Sequence, residues 1–193
     1  MSLSVVEAIT NRRATRKYTD EAPTPELIDK IVDLALEAPS AFNAQQREIV
    51  VITDPAQKQK LYEASHQKQF LTAPVTFIAV ARVENEPEDL EEILGTERAE
   101  RVAGFINGRS IQQAREATLR DASLAAAFLI LAAQAEGLST SPTTGWDEEK
   151  VKEAIGLGGR EDRAIALVIA TGFPNEQPEH PGRLQNRRID NSY

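Results

Sequence analysis

With 193 residues, 41% of them hydrophobic, the chain is sized for one domain with a substantial core. It contains no cysteine, which excludes disulfides and thiolate metal sites. Thirty acidic against 22 basic residues leave a formal charge of −8; such a surface repels phosphate backbones, so nucleic-acid binding is not expected.

Residues Met1 to Glu7 show no basic start, long apolar run or small-residue cleavage site, so no signal peptide is expected and a cytoplasmic location is the default. The first helix is expected over Ser4 to Asn11, with Val5, Val6 and Ile9 on one face. A second begins at the cap Thr24 with Pro25 at its first position, carries Leu27, Ile28, Ile31, Val32, Ala35 and Leu36 at helical spacing, and stops before Pro39. Glu48 to Thr53 reads as a short strand, Asp54-Pro55 opens a helix reaching about His66, and Pro74 to Ala81 reads as a second strand. The acidic stretch 83–94 suggests a loop or marginal helix, and Arg98 to Glu116 a helix exposed on one side.

Asp121 to Glu136 differs in kind. Leu124, Phe128, Leu129, Ile130 and Leu131 are embedded among seven alanines, a pattern for a helix buried on most sides and packed against a partner subunit as well as its own sheet. Its apolar part, Ala122 to Ala135, is too short to span a bilayer, so no membrane role is expected. Gly137 ends the helix, another runs from Asp147 to near Gly156, and Arg163 to Gly172 forms the third and most apolar strand. Residues 173–193 are polar, with three prolines and no helical period. There is no internal repeat and no linker, so one domain is expected over 1–193.

His66 and His180 are far apart and lack ligand-spaced companions, which argues against zinc. No nucleophile elbow or phosphate loop occurs, and Gly156-Leu-Gly158-Gly159 follows a helix, so it reads as a helix stop rather than a dinucleotide fingerprint. An enzyme built from these residues needs an organic cofactor. Two basic islands, Arg12 to Arg16 and Arg183 to Arg188, suggest one small anion bound between them; a solvated helix end is the alternative for the first. Pro39 to Gln46 offers a hydroxyl and several amides suited to a polyol or a heteroaromatic edge, or else is an ordinary polar turn. In Ser141 to Asp147, Gly145 lets a ligand approach the backbone, and Trp146 is either a ring neighbour or core.

The succession Arg-Arg-x-x-Arg-x-Tyr, Ala-Pro-Ser-x-x-Asn-x-Gln, an alanine-rich helix ending at Gly137, Pro142-x-x-Gly-Trp-Asp, Ala154-Ile-Gly-Leu157 and Gly172-Phe-Pro before a basic tail resembles the nitroreductase family over essentially the whole chain. The resemblance implies an α+β fold: a mostly antiparallel central sheet flanked by helices, in an intertwined homodimer whose tail, 173–193, wraps the partner subunit and adds a strand to its sheet. It implies FMN at the dimer interface and hydride transfer from NAD(P)H through flavin N5 to a nitroaromatic, quinone or similar small oxidant. A flavin-processing or carrier protein without NAD(P)H reductase activity is the alternative. By the same resemblance Arg12, Arg13 and Arg16, beside Ala14, hold the phosphate, completed by Arg183 with Arg187 or Arg188. Ser40, Asn43 and Gln45 meet the ribityl chain and ring edge, the last two coming from the other subunit in many members. The backbone at Pro142, Thr143, Thr144 and Gly145 faces N5, and Gln67 and Gln69 match a glutamine-containing stretch beside the flavin. No side chain is assigned as an obligatory acid or base. Ala14 stands where the family usually has Ser, Gln46 where it has Pro, Arg47 where Trp is common, and Thr143-Thr144 where Gly often occurs.

Overall fold

The computed structural model describes residues 3–85, 87–184 and 187. In chain order these form α1 (Val5–Asn11), α2 (Pro25–Leu36), β1 (Arg47–Ile52), α3 (Pro55–Ser65), α4 (Gln69–Thr72), β2 (Val75–Arg82), α5 (Leu90–Leu94), α6 (Thr96–Ile106), α7 (Ile111–Ala135), β3 (Ser139–Thr143), α8 (Glu148–Ala154) and β4 (Arg163–Gly172). The four strands make one antiparallel sheet in the order β1-β2-β4-β3.

Alternation along the two central strands divides the core into two layers. Val75, Phe77, Ala79 and Ile169 point to one face, against Ile31 and Ala35 of α2 and Ala126, Leu129 and Ala133 of α7. Ile78, Val80, Val168 and Ala170 point to the other, against Leu61, Phe70 and Val151 from α3, α4 and α8. The result is an α+β fold with helices on both faces of the sheet.

The expected caps are present. The side chains of Thr24 and Asp54 accept the backbone N–H groups of Leu27 and Gln57. At the end of α7, Gly137 takes φ +85, and the N–H groups of Gly137 and Leu138 return to the carbonyls of Gln134 and Ala133. Gly156 (φ +76) ends α8 in the same way, through bonds from Gly156 to Glu153 and from Leu157 to Lys152. The glycine run there is therefore a helix stop.

Three expectations are corrected. The helix expected from Asp121 begins ten residues earlier, at Ile111, and runs unbroken for 25 residues. Its start is a capping box in which Ser110 and Gln113 exchange side-chain-to-backbone bonds, so the single helix expected over Arg98 to Glu116 is instead divided between α6 and α7. Three strands were expected, but Ser139–Thr143, to which none was assigned, form a further strand, β3, at the sheet edge, where Pro142 is tolerated. The first helix is present as expected, and its apolar face is not buried in its own chain: Val5, Val6 and Ile9 are 70%, 69% and 55% exposed, and only Ala8 is buried. On α7, Leu124 and Phe128 are also about two-fifths exposed, at 42% and 41%.

Candidate functional site

The first basic island is extended chain rather than helix end. The backbone leaves α1 at Arg12 (φ −59, ψ 129), and Ala14 then forms a parallel bridge to Thr140 of β3, where Thr15 N–H donates to the Thr140 carbonyl at 3.1 Å. Tyr18 anchors this segment on the sheet. Its hydroxyl lies 2.6 Å from the Thr15 carbonyl and 3.0 Å from that of Ala170. Its ring lies so close to Gly172 that an added Cβ there would sit 3.0 Å from it. Burial, then the nearby Glu176 carboxylate, push the Tyr18 phenol above its ordinary range. That carboxylate in turn accepts the N–H groups of Arg16 (2.6 Å) and Lys17 (3.2 Å), clasping the segment from the far end of the chain.

This path brings the two basic islands together. Arg12, Arg13 and Arg183 line one pocket of about 400 Å³, with Ile9, Leu131 and His180. Burial, then the charges of Arg183 and Arg13, pull the Arg12 guanidinium below the ordinary arginine range. Its Nη1 is buried without a hydrogen-bond partner among the described residues. Arg13 spends one nitrogen on the carbonyls of Thr10 and Arg12, both at 2.8 Å. None of these arginines is ion-paired among the described residues, whereas Arg82, Arg101, Arg115, Arg120, Arg160 and Arg163 all are. Converging cations with a buried, unanswered N–H form a site for an anion. A larger cleft of about 840 Å³ borders Arg13 and Thr15, but Glu176 lies in its wall and disfavours an anion there.

Arg16 does not join the cluster through any described contact; it is exposed, two residues beyond the Ala14 bridge. Arg187 is exposed, and Arg188 lies outside the described residues.

A second grouping forms at the end of β3. Thr143 Oγ1 donates to the Val168 carbonyl at 3.0 Å, and Thr144 and Gly145 follow as exposed turn residues. Gln67 Nε2 lies 4.0 Å from where a Gly145 Cβ would be, and Gln67 Oε1 accepts from Gln69 Nε2 at 2.8 Å. The turn is tied to the end of α3 by a 2.8 Å bond from Asp147 N–H to the Ala64 carbonyl. Trp146 packs, partly buried, on the core beneath.

The third grouping is the loop between α2 and β1. Ser40 Oγ accepts the Gln45 N–H at 3.1 Å, and residues 41–43 make a short 3-10 turn. Phe42, Asn43 and Gln45 have φ of 59°, 59° and 52°. Left-handed backbone disfavours non-glycine residues by roughly 1–2 kcal/mol each, less for Asn. Three contacts offset this. The Phe42 ring stacks on Phe105 of α6 at 5.6 Å, worth about 0.5–1.5 kcal/mol. Arg98 donates to the Phe42 carbonyl at 3.3 Å. Asp121, 8% exposed on α7, accepts the Ala41 N–H with both carboxylate oxygens at 3.2 Å, a charge-assisted bond of roughly 1.5–3 kcal/mol. Burial raises the Asp121 pKa, against the opposing pull of the Ala41 bond, Arg47 and Arg109. No described hydrogen bond joins this loop to Arg12, Arg13 or Arg183.

The family model described as the nitroreductase family matches residues 9–173. The chain belongs to the nitroreductase family. Membership makes it a nitroreductase-like oxidoreductase. Among its relatives, a Thermus thermophilus protein named NADH dehydrogenase is 34% identical over 204 residues, covering 97% of each chain. A nitroreductase family protein of Streptococcus pneumoniae has the same fold, with a TM-score of 0.84 at 24% identity, over 94% of this chain and 96% of the other. So does an Exiguobacterium sibiricum protein named as a nitroreductase and solved in complex with FMN, with a TM-score of 0.87 at 20% identity over 95% and 94%. In this nitroreductase the described residues include no cluster of metal-ligating side chains and no helix long and apolar enough to cross a membrane.

Asp121 is the polar residue of the site that sequence reasoning missed. At the head of an apolar run it reads as a helix start, and nothing local marks it as the anchor of a loop 80 residues away. Arg47 was visible only as a departure from the family's Trp. It is buried, and donates to the Leu36 (2.6 Å) and Ala38 (2.9 Å) carbonyls at the end of α2.

Proposed function

We propose that this nitroreductase binds FMN, takes hydride from NADH or NADPH, and reduces a nitroaromatic, quinone or similar small oxidant, as a homodimer in the cytoplasm. The observation that carries this reading is the meeting of Arg12, Arg13 and Arg183 around a pocket, with no described counter-charge and a buried Arg12 N–H left unanswered. A phosphate dianion fits that donor set, and Arg16 with Arg187 or Arg188 would add to it. Bound there, FMN would supply the two-electron chemistry that links NADH or NADPH to the oxidant.

The chain's own contribution is placement. Gln67, held by the buried Gln69, and the backbone at Thr143, Thr144 and Gly145, next to Pro142, form an uncharged surface of amide donors and acceptors suited to a heteroaromatic edge. Ser40, Asn43 and Gln45 offer more such groups; Asn43 and Gln45 would act from a second copy. The exposed apolar side chains Val5, Val6, Ile9, Leu124 and Phe128 support this assembly, since they form a surface that a second copy would cover. The tail expected to lie across that copy, 173–193, is described only at 173–184 and 187; its other residues lie outside the described ones. No side chain of these groupings is required as an obligatory acid or base.

Anaerobic titration of the purified protein tests the reading. The expected protein is yellow, is bleached by NADH or NADPH, and recovers its colour on adding a quinone. Colourless protein that gains no thermal stability from added FMN would overturn the proposal. Yellow protein that neither nucleotide bleaches would identify a flavin carrier.

A further inference from the structure

We propose that Asp121 is a positioning residue for flavin binding: from its place inside α7 it holds the loop 40–45 in the conformation that presents Asn43 and Gln45 to the cofactor. The inference rests on the FMN reading above and assigns a role to a residue which that reading does not use.

Three observations converge on it. Asp121 is almost fully buried, and both of its oxygens take the same N–H, that of Ala41, at 3.2 Å. A buried carboxylate spent on one loop amide is not required by the helix that carries it, where alanine would pack as well as its buried neighbours Ala122, Ala125 and Ala126 do. The segment it holds is one that would otherwise relax, because Phe42, Asn43 and Gln45 all lie in the left-handed region. The loop also starts and ends at one place. Arg47, the first residue of β1, reaches back to the carbonyls of Leu36 and Ala38 and lies close enough to Asp121 to interact with its charge. The chain from 38 to 47 is thus closed at its base by Arg47, held at Ala41 by Asp121 and met at Phe42 by α6. Through Asp121 that hold passes to α7, which packs directly on β2 and β4.

The test uses full-length protein stripped of flavin and titrated with FMN and with riboflavin, followed by flavin fluorescence. The loop would meet the ring and ribityl chain, whereas Arg12 would meet the phosphate, so the two sites should separate. Asp121→Ala is expected to weaken both ligands by the same factor, at least about ten-fold. Arg12→Ala should weaken FMN alone. Asp121→Asn keeps an acceptor for Ala41 and should recover most of the affinity. Ala41→Pro removes the donor at the first position of a 3-10 turn, where proline suits the backbone, and should repeat the loss. Thermal melts report folding, and if Asp121→Ala does not fold, the Asn and Pro variants decide. The inference is overturned if Asp121→Ala and Ala41→Pro bind both flavins within two-fold of the parent. It is equally overturned if either variant loses FMN but not riboflavin, or if Ala41→Pro binds normally while Asp121→Ala does not. A parent protein that binds neither flavin defeats the FMN reading and this inference together; a binding parent with unaffected variants defeats this one alone.

Discussion

Two groups of arginines in this nitroreductase live under opposite rules. At one end of the sheet, Arg82 meets Glu48, Glu84 and Asp89, and Arg163 meets Glu48, Glu84 and Asp162. Burial works against the Arg82 charge, but its bonds to Asp89 and Glu84 prevail and its pKa lies above the ordinary range. At the meeting of the chain ends, Arg12, Arg13 and Arg183 face one another, and the Arg12 pKa moves the other way. The first group carries its counter-ions in its own sequence and knits β1, β2 and β4 together. The second has like charges for neighbours and is stabilised by what it binds. Between these two groups, charge pairing separates scaffold from site.

Substitutions should break the two groups in opposite ways. Arg163→Ala leaves Glu84 and Glu48 short of a cation, and should lower stability in urea unfolding by about 3 kcal/mol while leaving FMN affinity unchanged. A matching loss of flavin would mean that the ion network also shapes the site. Arg12→Ala should do the reverse: FMN binds about thirty-fold more weakly, roughly 2 kcal/mol, while the flavin-free protein melts no lower than its parent because a repulsion has been removed. A drop in the melting temperature without flavin would place Arg12 with the scaffold. The smallest effect concerns Asp162. Hydrogen bonding to Arg160, with Arg163 nearby, depresses its pKa to about 2. A depressed carboxylate contributes stability above its unfolded pKa of about 3.9, and that stability is lost as pH falls through the folded value. Both side chains are more than a third exposed, so the contribution is modest. Arg160→Ala should lower the urea midpoint slightly near neutral pH, and the gap to the parent should close near pH 2. A gap that persists there would show that Arg160 acts by packing.

Much of the scaffold was legible because its signals are local. Thr24-Pro25 and Asp54-Pro55 announce helix starts, and the β-branched runs of β1, β2 and β4 announce strands. β3 was not legible: Ser139-Thr-Ser-Pro-Thr143 has the composition of a turn, and it is a strand because β4 offers it an edge. The polar residues Arg115, Arg120 and Asp121 concealed the continuity of α7. The Ser110/Gln113 capping box could have revealed it. In the site, the arginines stood out because three fall within five residues, and the motif order supplied the rest. Asp121 was beyond reach, since its meaning depends on a contact 80 positions away.

Glu176 lies just outside the stretch, 9–173, that the family model matches. A version of the chain ending at residue 173 would keep all four strands and every helix named above. It would also lose the carboxylate that grips Arg16 and Lys17, the Asn175 bond to Lys17, and Arg183 itself. Such a trimmed protein would be well folded at its centre and unbuckled where its two extremities meet.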